Sequence, residues 1–176
     1  VKYDIYFPLP EPNMFKRRQT SMSPRSHPDL LFWVSFVALN VLLFVPLYFA
    51  HQYTDIRLVF TALMAFFSFS FCASSIYVLN DLVDLPADRQ HRSKRNRPLA
   101  AGTLSIPQGI TLSVVSLGLA MTLAVVFVNP KFVVVLLGYV VLTTAYTFVL
   151  KQQMILDVLT LASLFTYRVI AGGVAV

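Results

Sequence analysis

Residues 77–102 read YVLNDLVDLPADRQHRSKRNRPLAAG, with long apolar runs on either side. The stretch holds three of the chain's eight acids, Asp81, Asp84 and Asp88, and five of its fourteen lysines and arginines, Arg89, Arg92, Lys94, Arg95 and Arg97. Carboxylates followed at once by arginines, at the mouth of an apolar helix, suit a diphosphate. Carboxylates hold Mg²⁺ through hard oxygen contacts, the metal neutralises phosphate oxygens, and guanidinium forks take the rest. An ordinary loop with solvated charges is the alternative. Such loops rarely carry three acids on one face ahead of a basic run.

At about 100° per residue, Asn80, Asp81, Asp84 and Asp88 fall within an arc of about 100° on an α-helix. Continuing the helix backwards adds Tyr77, Ser74 and Ser70 to that face. A polar stripe on an otherwise apolar segment marks the wall of an internal cavity rather than a lipid-facing surface. Pro86 disfavours helix at Leu85 and removes a donor. It predicts a fresh turn for Asp88, with a weaker place on the shared face than Asp81 and Asp84 have.

The surrounding composition sets the fold class. With 176 residues, 57% hydrophobic and 12% charged, the chain is outside the soluble globular range. Apolar runs of roughly 20 residues predict an all-α, polytopic transmembrane helical bundle of about five spans. The spans are expected at 30–50, 58–79, 107–128, 131–150 and 155–176. Ser105 should cap the third, ahead of Pro107, and Asn129-Pro130-Lys131 should form the turn into the fourth. Gly109 and Gly118 are expected to permit close helix packing. The single cysteine, Cys72, excludes an internal disulfide and reads as a small apolar filler.

Residues 1–29 are polar, Pro-rich and basic, without a signal-peptide pattern. They are expected to form a cytoplasmic tail whose cations lie against anionic lipid headgroups, with residues 30–176 as the membrane domain. An N-in arrangement puts eleven basic residues on the cytoplasmic side, five in the tail, five in the motif loop and Lys151, against Arg57 and Lys131 opposite. That asymmetry places the acidic motif on the cytoplasmic face. The net charge of +6 comes from these loops, so nucleic acid is not implied. The chain begins with Val1 and stops at Val176 inside an apolar run. Both ends read as cuts.

Two further stripes are chemically suggestive. Tyr139, Thr143 and Tyr146 share one face of the fourth span, as packing or interface anchors or as part of a pocket. Asp157 and Arg168, eleven residues apart, share a face of the fifth but stand roughly 16 Å apart, too far to pair. A buried Arg168 must face the bundle interior. It either pairs with an acid of another helix or contacts a ligand.

The residues NDLVDLPADRQHRSKRNRPLAAG resemble the first aspartate-rich motif of the UbiA superfamily of intramembrane prenyltransferases, an N-D-x-x-D-x-x-x-D run followed by R-P. YTFVLKQQMILDVLTLASLFTYRVIAGGVA resembles the Y-x-x-x-L-K … L-D-V … R-x-I-A-G segment of that superfamily. This form is typical of the branch containing decaprenyl-phosphate phosphoribosyltransferase. The resemblance runs from about Leu30 onward and leaves out the first 29 residues. It implies the N-terminal portion of a bundle of about nine helices, with a second acidic motif facing the first.

It also implies roles. Asn80, Asp81, Asp84 and Asp88 would be metal–diphosphate residues with Mg²⁺ as cofactor. Lys94, Arg97, Lys151 and Arg168 would be phosphate contacts, with Tyr146 in the pocket and Asp81, Asp84, Tyr146 and Lys151 nearest the chemistry. The first span keeps only the N-V-L-L-F-V-P end of its usual entry, and Leu39 stands where a lysine is common, so no cation is assigned there. The implied substrate is a polyprenyl or phosphoribosyl diphosphate, with a membrane lipid or an aromatic ring as acceptor. From about Tyr146 to Gly173 the pattern leans towards phosphoribosyl transfer. An alcohol phosphatidyltransferase is disfavoured because the glycines of its motif are missing. A transporter or channel with an acid-lined pathway is the remaining alternative.

Overall fold

The computed structural model describes residues 39–148 and 154–176. Among these there is no strand, and the order is a 3-10 turn Val41–Phe44, α1 Val45–Phe49, α2 Ile56–Val83, α3 Leu85–Gln90, α4 Ile106–Phe127, α5 Pro130–Phe148 and α6 Met154–Ala175. Four helices are long and apolar enough to cross a membrane: α2, α4, α5 and the Val158–Ala175 part of α6. They match the second to fifth expected spans. Most of the first expected span lies outside the described residues. Its described end is a 3-10 turn leading into a short helix with Pro46 in the first turn.

Local chemistry fixes the boundaries. The Asp55 side chain accepts from the Arg57 N–H at 2.9 Å and caps α2. Ser105 and Gln108 form a reciprocal capping box at the start of α4, with Pro107 in its first turn. Asn129 does two jobs at the α4–α5 turn. Its Oδ1 accepts from the Phe132 N–H at 2.8 Å, and its Nδ2 donates to the Val174 carbonyl at 2.9 Å, tying the start of α5 to the end of α6.

The core is built from small residues and a few rings. Ala65, Phe69, Cys72 and Ala73 of α2 meet Ala120 and Ala124 of α4, Phe132, Leu136 and Tyr139 of α5, and Ala171 of α6. Small side chains let the backbones approach, and hydroxyls bond across the gap. The Ser68 hydroxyl donates to the Ala120 carbonyl at 2.8 Å, and the Ser75 and Ser113 hydroxyls lie 2.9 Å apart. Phe60 near the start of α2 meets Phe127 at the end of α4 edge-on, so the two run antiparallel. Outward-facing valines, such as Val114, Val125, Val134 and Val141, are more than 60% exposed.

The glycines divide. A Cβ at Gly109 would stand 3.0 Å from Leu99 Cδ2, which fits the expected close packing. Gly118 has nothing within 4 Å of such a carbon, so it is not a contact glycine. The tightest approach was not anticipated: a Cβ at Gly172 would run into the Leu43 backbone carbonyl.

Candidate functional site

The site starts where α2 ends. Asp84, at φ −81 and ψ −2, closes α2 and precedes α3, whose first turn contains Pro86. The expected fresh turn is therefore present, and it places Asp88, whose position Pro86 left open in the sequence, on the inner side. The Asp88 N–H still bonds the Asp84 carbonyl at 2.9 Å, and the side chain turns inward, 3% exposed. Asp88 is the most buried of the three acids.

One guanidinium explains that burial. Arg97 Nη1 donates to Asp81 Oδ1 and to Asp88 Oδ2, each at 2.8 Å. Lys94 Nζ stands 4.0 Å from the other Asp88 oxygen. Arg97 follows the 3-10 turn Lys94–Asn96, which is drawn together by His91 Nδ1 against the Ser93 hydroxyl at 3.1 Å. Buried Leu99 then anchors the loop on Gly109, and Gly102, at φ +77, turns the chain towards α4 in a conformation that suits glycine. Arg89, Arg92 and Arg95 remain exposed to solvent.

Among the described residues no three of His, Cys, Asp and Glu gather closely enough to cage a metal. Mg²⁺ does not need such a cage. It usually takes one or two carboxylates and fills its octahedron with water and substrate phosphate oxygens. Asp81 and Asp88 already share one cationic nitrogen, with an oxygen of each within hydrogen-bond reach of it. That donor pair fits a divalent cation, and Asp84 sits at the helix junction between them.

Next to Asn80, the residue before Asp81, lies a cavity of about 230 Å³ whose wall contains none of Asp81, Asp84, Asp88, Lys94 and Arg97. Its wall includes Tyr77 and Asn80 of α2, Tyr139, Thr143 and Tyr146 of α5, and Arg168 of α6. Tyr77 and Asn80 of the expected α2 stripe and the whole α5 stripe thus face one interior space. Ser70 and Ser74 instead bond locally, Ser70 accepting from Asn40 and Ser74 donating to its own helix. Asn80 Oδ1 is buried and has no hydrogen-bond partner among the described residues. An orphaned buried acceptor costs about 1–3 kcal/mol unless a ligand or water meets it. The volume is below the roughly 300–1,000 Å³ of a typical small-molecule site. A smaller space of about 100 Å³, lined by Ile76, Leu79, Val83 and Phe148, adjoins it at Asn80.

At the far end of the cavity Arg168 is 4% exposed. Its Nε donates to Asn40 Oδ1 at 3.2 Å and its Nη1 to the Leu164 carbonyl at 2.9 Å. The guanidinium lies 5.7, 5.8 and 5.9 Å from the rings of Phe69, Tyr139 and Phe165. Among the described side chains no carboxylate pairs with it. The sequence reading missed Asn40, whose amide holds Arg168. Its only signal was an asparagine inside an apolar run. Lys151 lies outside the described residues, as do the side chain of Asp157 and the proposed tail.

The family model for UbiA prenyltransferases matches residues 37–176. The chain belongs to the UbiA prenyltransferase family. Family membership separates it from the alcohol phosphatidyltransferases. Over 124 residues it is 36% identical to decaprenyl-phosphate phosphoribosyltransferase of Mycobacterium tuberculosis, covering 70% of this chain and 41% of that protein. Over 136 residues it is 36% identical to nodulation protein NoeC of Azorhizobium caulinodans, covering 77% and 44%. An uncharacterised protein of Sinorhizobium fredii, y4nM, is 37% identical over 160 residues, covering 88% of this chain and 31% of that protein. The UbiA-family chain thus spans less than half the length of these relatives.

Proposed function

We propose that this UbiA-family chain carries the diphosphate-binding half of an intramembrane transferase acting on phosphoribosyl diphosphate, with a lipid phosphate as acceptor. The observation that carries this is the Asp81–Arg97–Asp88 bridge directly after Asn80 of the cavity wall, together with a buried arginine in that wall that no carboxylate among the described residues pairs. Mg²⁺ bound by Asp81 and Asp88, with Asp84 beside them, would offset the charge of the diphosphate. Arg97 and Lys94 are placed to pass from carboxylate to phosphate oxygens as the substrate enters. Asn80 offers its free acceptor to a hydroxyl of the substrate. In the reaction the bond from the anomeric carbon to the diphosphate breaks, its electron pair leaves on the diphosphate, and a phosphate oxygen of the lipid bonds to that carbon. The apolar walls keep water from competing as nucleophile.

Two things support the phosphoribosyl form over prenyl transfer to an aromatic ring. Arg168 suits an anionic partner more than a neutral ring, and one group of relatives is named for phosphoribosyl transfer. The site would open to the cytoplasm, with the chain in the inner membrane and its N-terminus inside. Melting of the detergent-solubilised protein tests the substrate. Phosphoribosyl diphosphate with Mg²⁺ should raise the midpoint more than geranyl diphosphate with Mg²⁺. Stabilisation by geranyl diphosphate alone would overturn the proposal in favour of an aromatic prenyl acceptor.

A further inference from the structure

We infer that Asn40 is a positioning residue that aims the Arg168 guanidinium into the cavity while leaving its charge available. This rests on Arg168 being an anion contact. Asn40 is 0% exposed, although an asparagine amide in an apolar segment is costly to bury. Both ends of the amide are used: Oδ1 accepts from Arg168 Nε at 3.2 Å, and Nδ2 donates to the Ser70 hydroxyl at 3.1 Å. These two bonds fix which way the amide faces, and through it the plane of the guanidinium. Gly172 allows the segment carrying Asn40 to lie against α6, since any larger residue there would meet the Leu43 backbone. Arg168 is thereby held by parts of three elements: the segment before α1, α2 through Ser70, and α6 itself.

The chemistry of the holders matters as much as the geometry. Every partner of Arg168 among the described residues is neutral: an amide oxygen, a main-chain carbonyl and three ring faces. A carboxylate at position 40 would orient the arginine equally well and cancel its charge. An amide orients without cancelling. Two of the five guanidinium N–H groups are taken, leaving three without a protein acceptor among the described residues. An anion entering the cavity meets a cation already aimed, with little side-chain entropy left to lose.

The test measures binding of inorganic pyrophosphate, without Mg²⁺, to the detergent-solubilised protein, together with the ligand-free melting midpoint. Arg168→Gln should weaken binding about tenfold or more. Asn40→Leu, which removes the acceptor, should weaken it to a similar degree. Asn40→Asp keeps the bond and quenches the charge, so its ligand-free midpoint should hold or rise while affinity falls at least as far. A purely structural role for Asn40 predicts the contrary for Asn40→Asp: a retained fold with retained affinity. That result would overturn the proposal, and it decides the matter even where Asn40→Leu does not fold. Loss of affinity in Arg168→Gln with wild-type affinity in both Asn40 variants would remove Asn40 and spare Arg168. Wild-type affinity in Arg168→Gln would refute the anion site itself, and the role of Asn40 with it.

Discussion

Replacing Asp88 by asparagine removes one charge from the bridge and almost nothing else. Asp88 is 3% exposed, whereas the Arg97 side chain is 37% exposed. A hydrogen bond to a charged group is worth about 1.5–3 kcal/mol when enclosed, and the open side of Arg97 screens part of it. Asparagine keeps the shape and one acceptor, so the expected loss is about 1–2 kcal/mol. For a chain of this size that corresponds to a melting midpoint lower by roughly 3–6 °C. Asp81→Asn, at a side chain 30% exposed, should cost less stability. If the proposed site is right, affinity for pyrophosphate with Mg²⁺ should fall in both variants, by about thirtyfold or more, because each variant would take one carboxylate from the proposed metal shell. Circular dichroism melts and calorimetric titration in detergent measure the two effects separately. Wild-type melting and wild-type Mg²⁺–pyrophosphate affinity in Asp88→Asn, beside a defective Asp81→Asn, would refute the shared bridge.

Gly172→Ala should destabilise the bundle by about 1–3 kcal/mol, since the new carbon meets main chain that cannot yield, while Gly118→Ala should be nearly neutral; melting midpoints compare them. A cysteine at Ser93 should be labelled from the cytoplasmic side only, and labelling by an impermeant maleimide on intact cells would reverse the topology. Cys72, fully buried, should resist maleimide until the protein is unfolded, and rapid labelling of the native protein would show that the core is open there.

What the sequence could disclose followed from periodicity and short-range chemistry. The α2 and α5 stripes were legible because 3.6-residue spacing alone brings Tyr77 and Asn80, and Tyr139, Thr143 and Tyr146, to single faces. Ser105 and Gln108 announced their cap from three residues apart. The place of Asp88 was left open because Pro86 dictates a break but not the direction of the restarted turn. That direction comes from Arg97, nine residues further on. Asn40 was illegible for a similar reason, its partner lying 128 residues away. Gly118 shows the limit of composition: a small residue in an apolar helix looks the same whether it faces a neighbour or lipid.

The paired hydroxyls of α2 and α4 also bear on how the protein enters its membrane. Ser68 and Ser75 are seven residues apart, as are their partners Ala120 and Ser113, so both bonds belong to one antiparallel register. Lipid chains offer no acceptor for these hydroxyls. As α2 emerges from the ribosome its hydroxyls can bond back to their own helix, as Ser74 does, until α4 offers partners across the gap. The two segments and the charged loop between them are therefore expected to partition into the bilayer as one helical hairpin. A slip of one turn would break both bonds and move Asp81 by about 5.4 Å relative to the base of α4. On that expectation the height of the acidic motif would be set by the α2–α4 register before α5 and α6 are made.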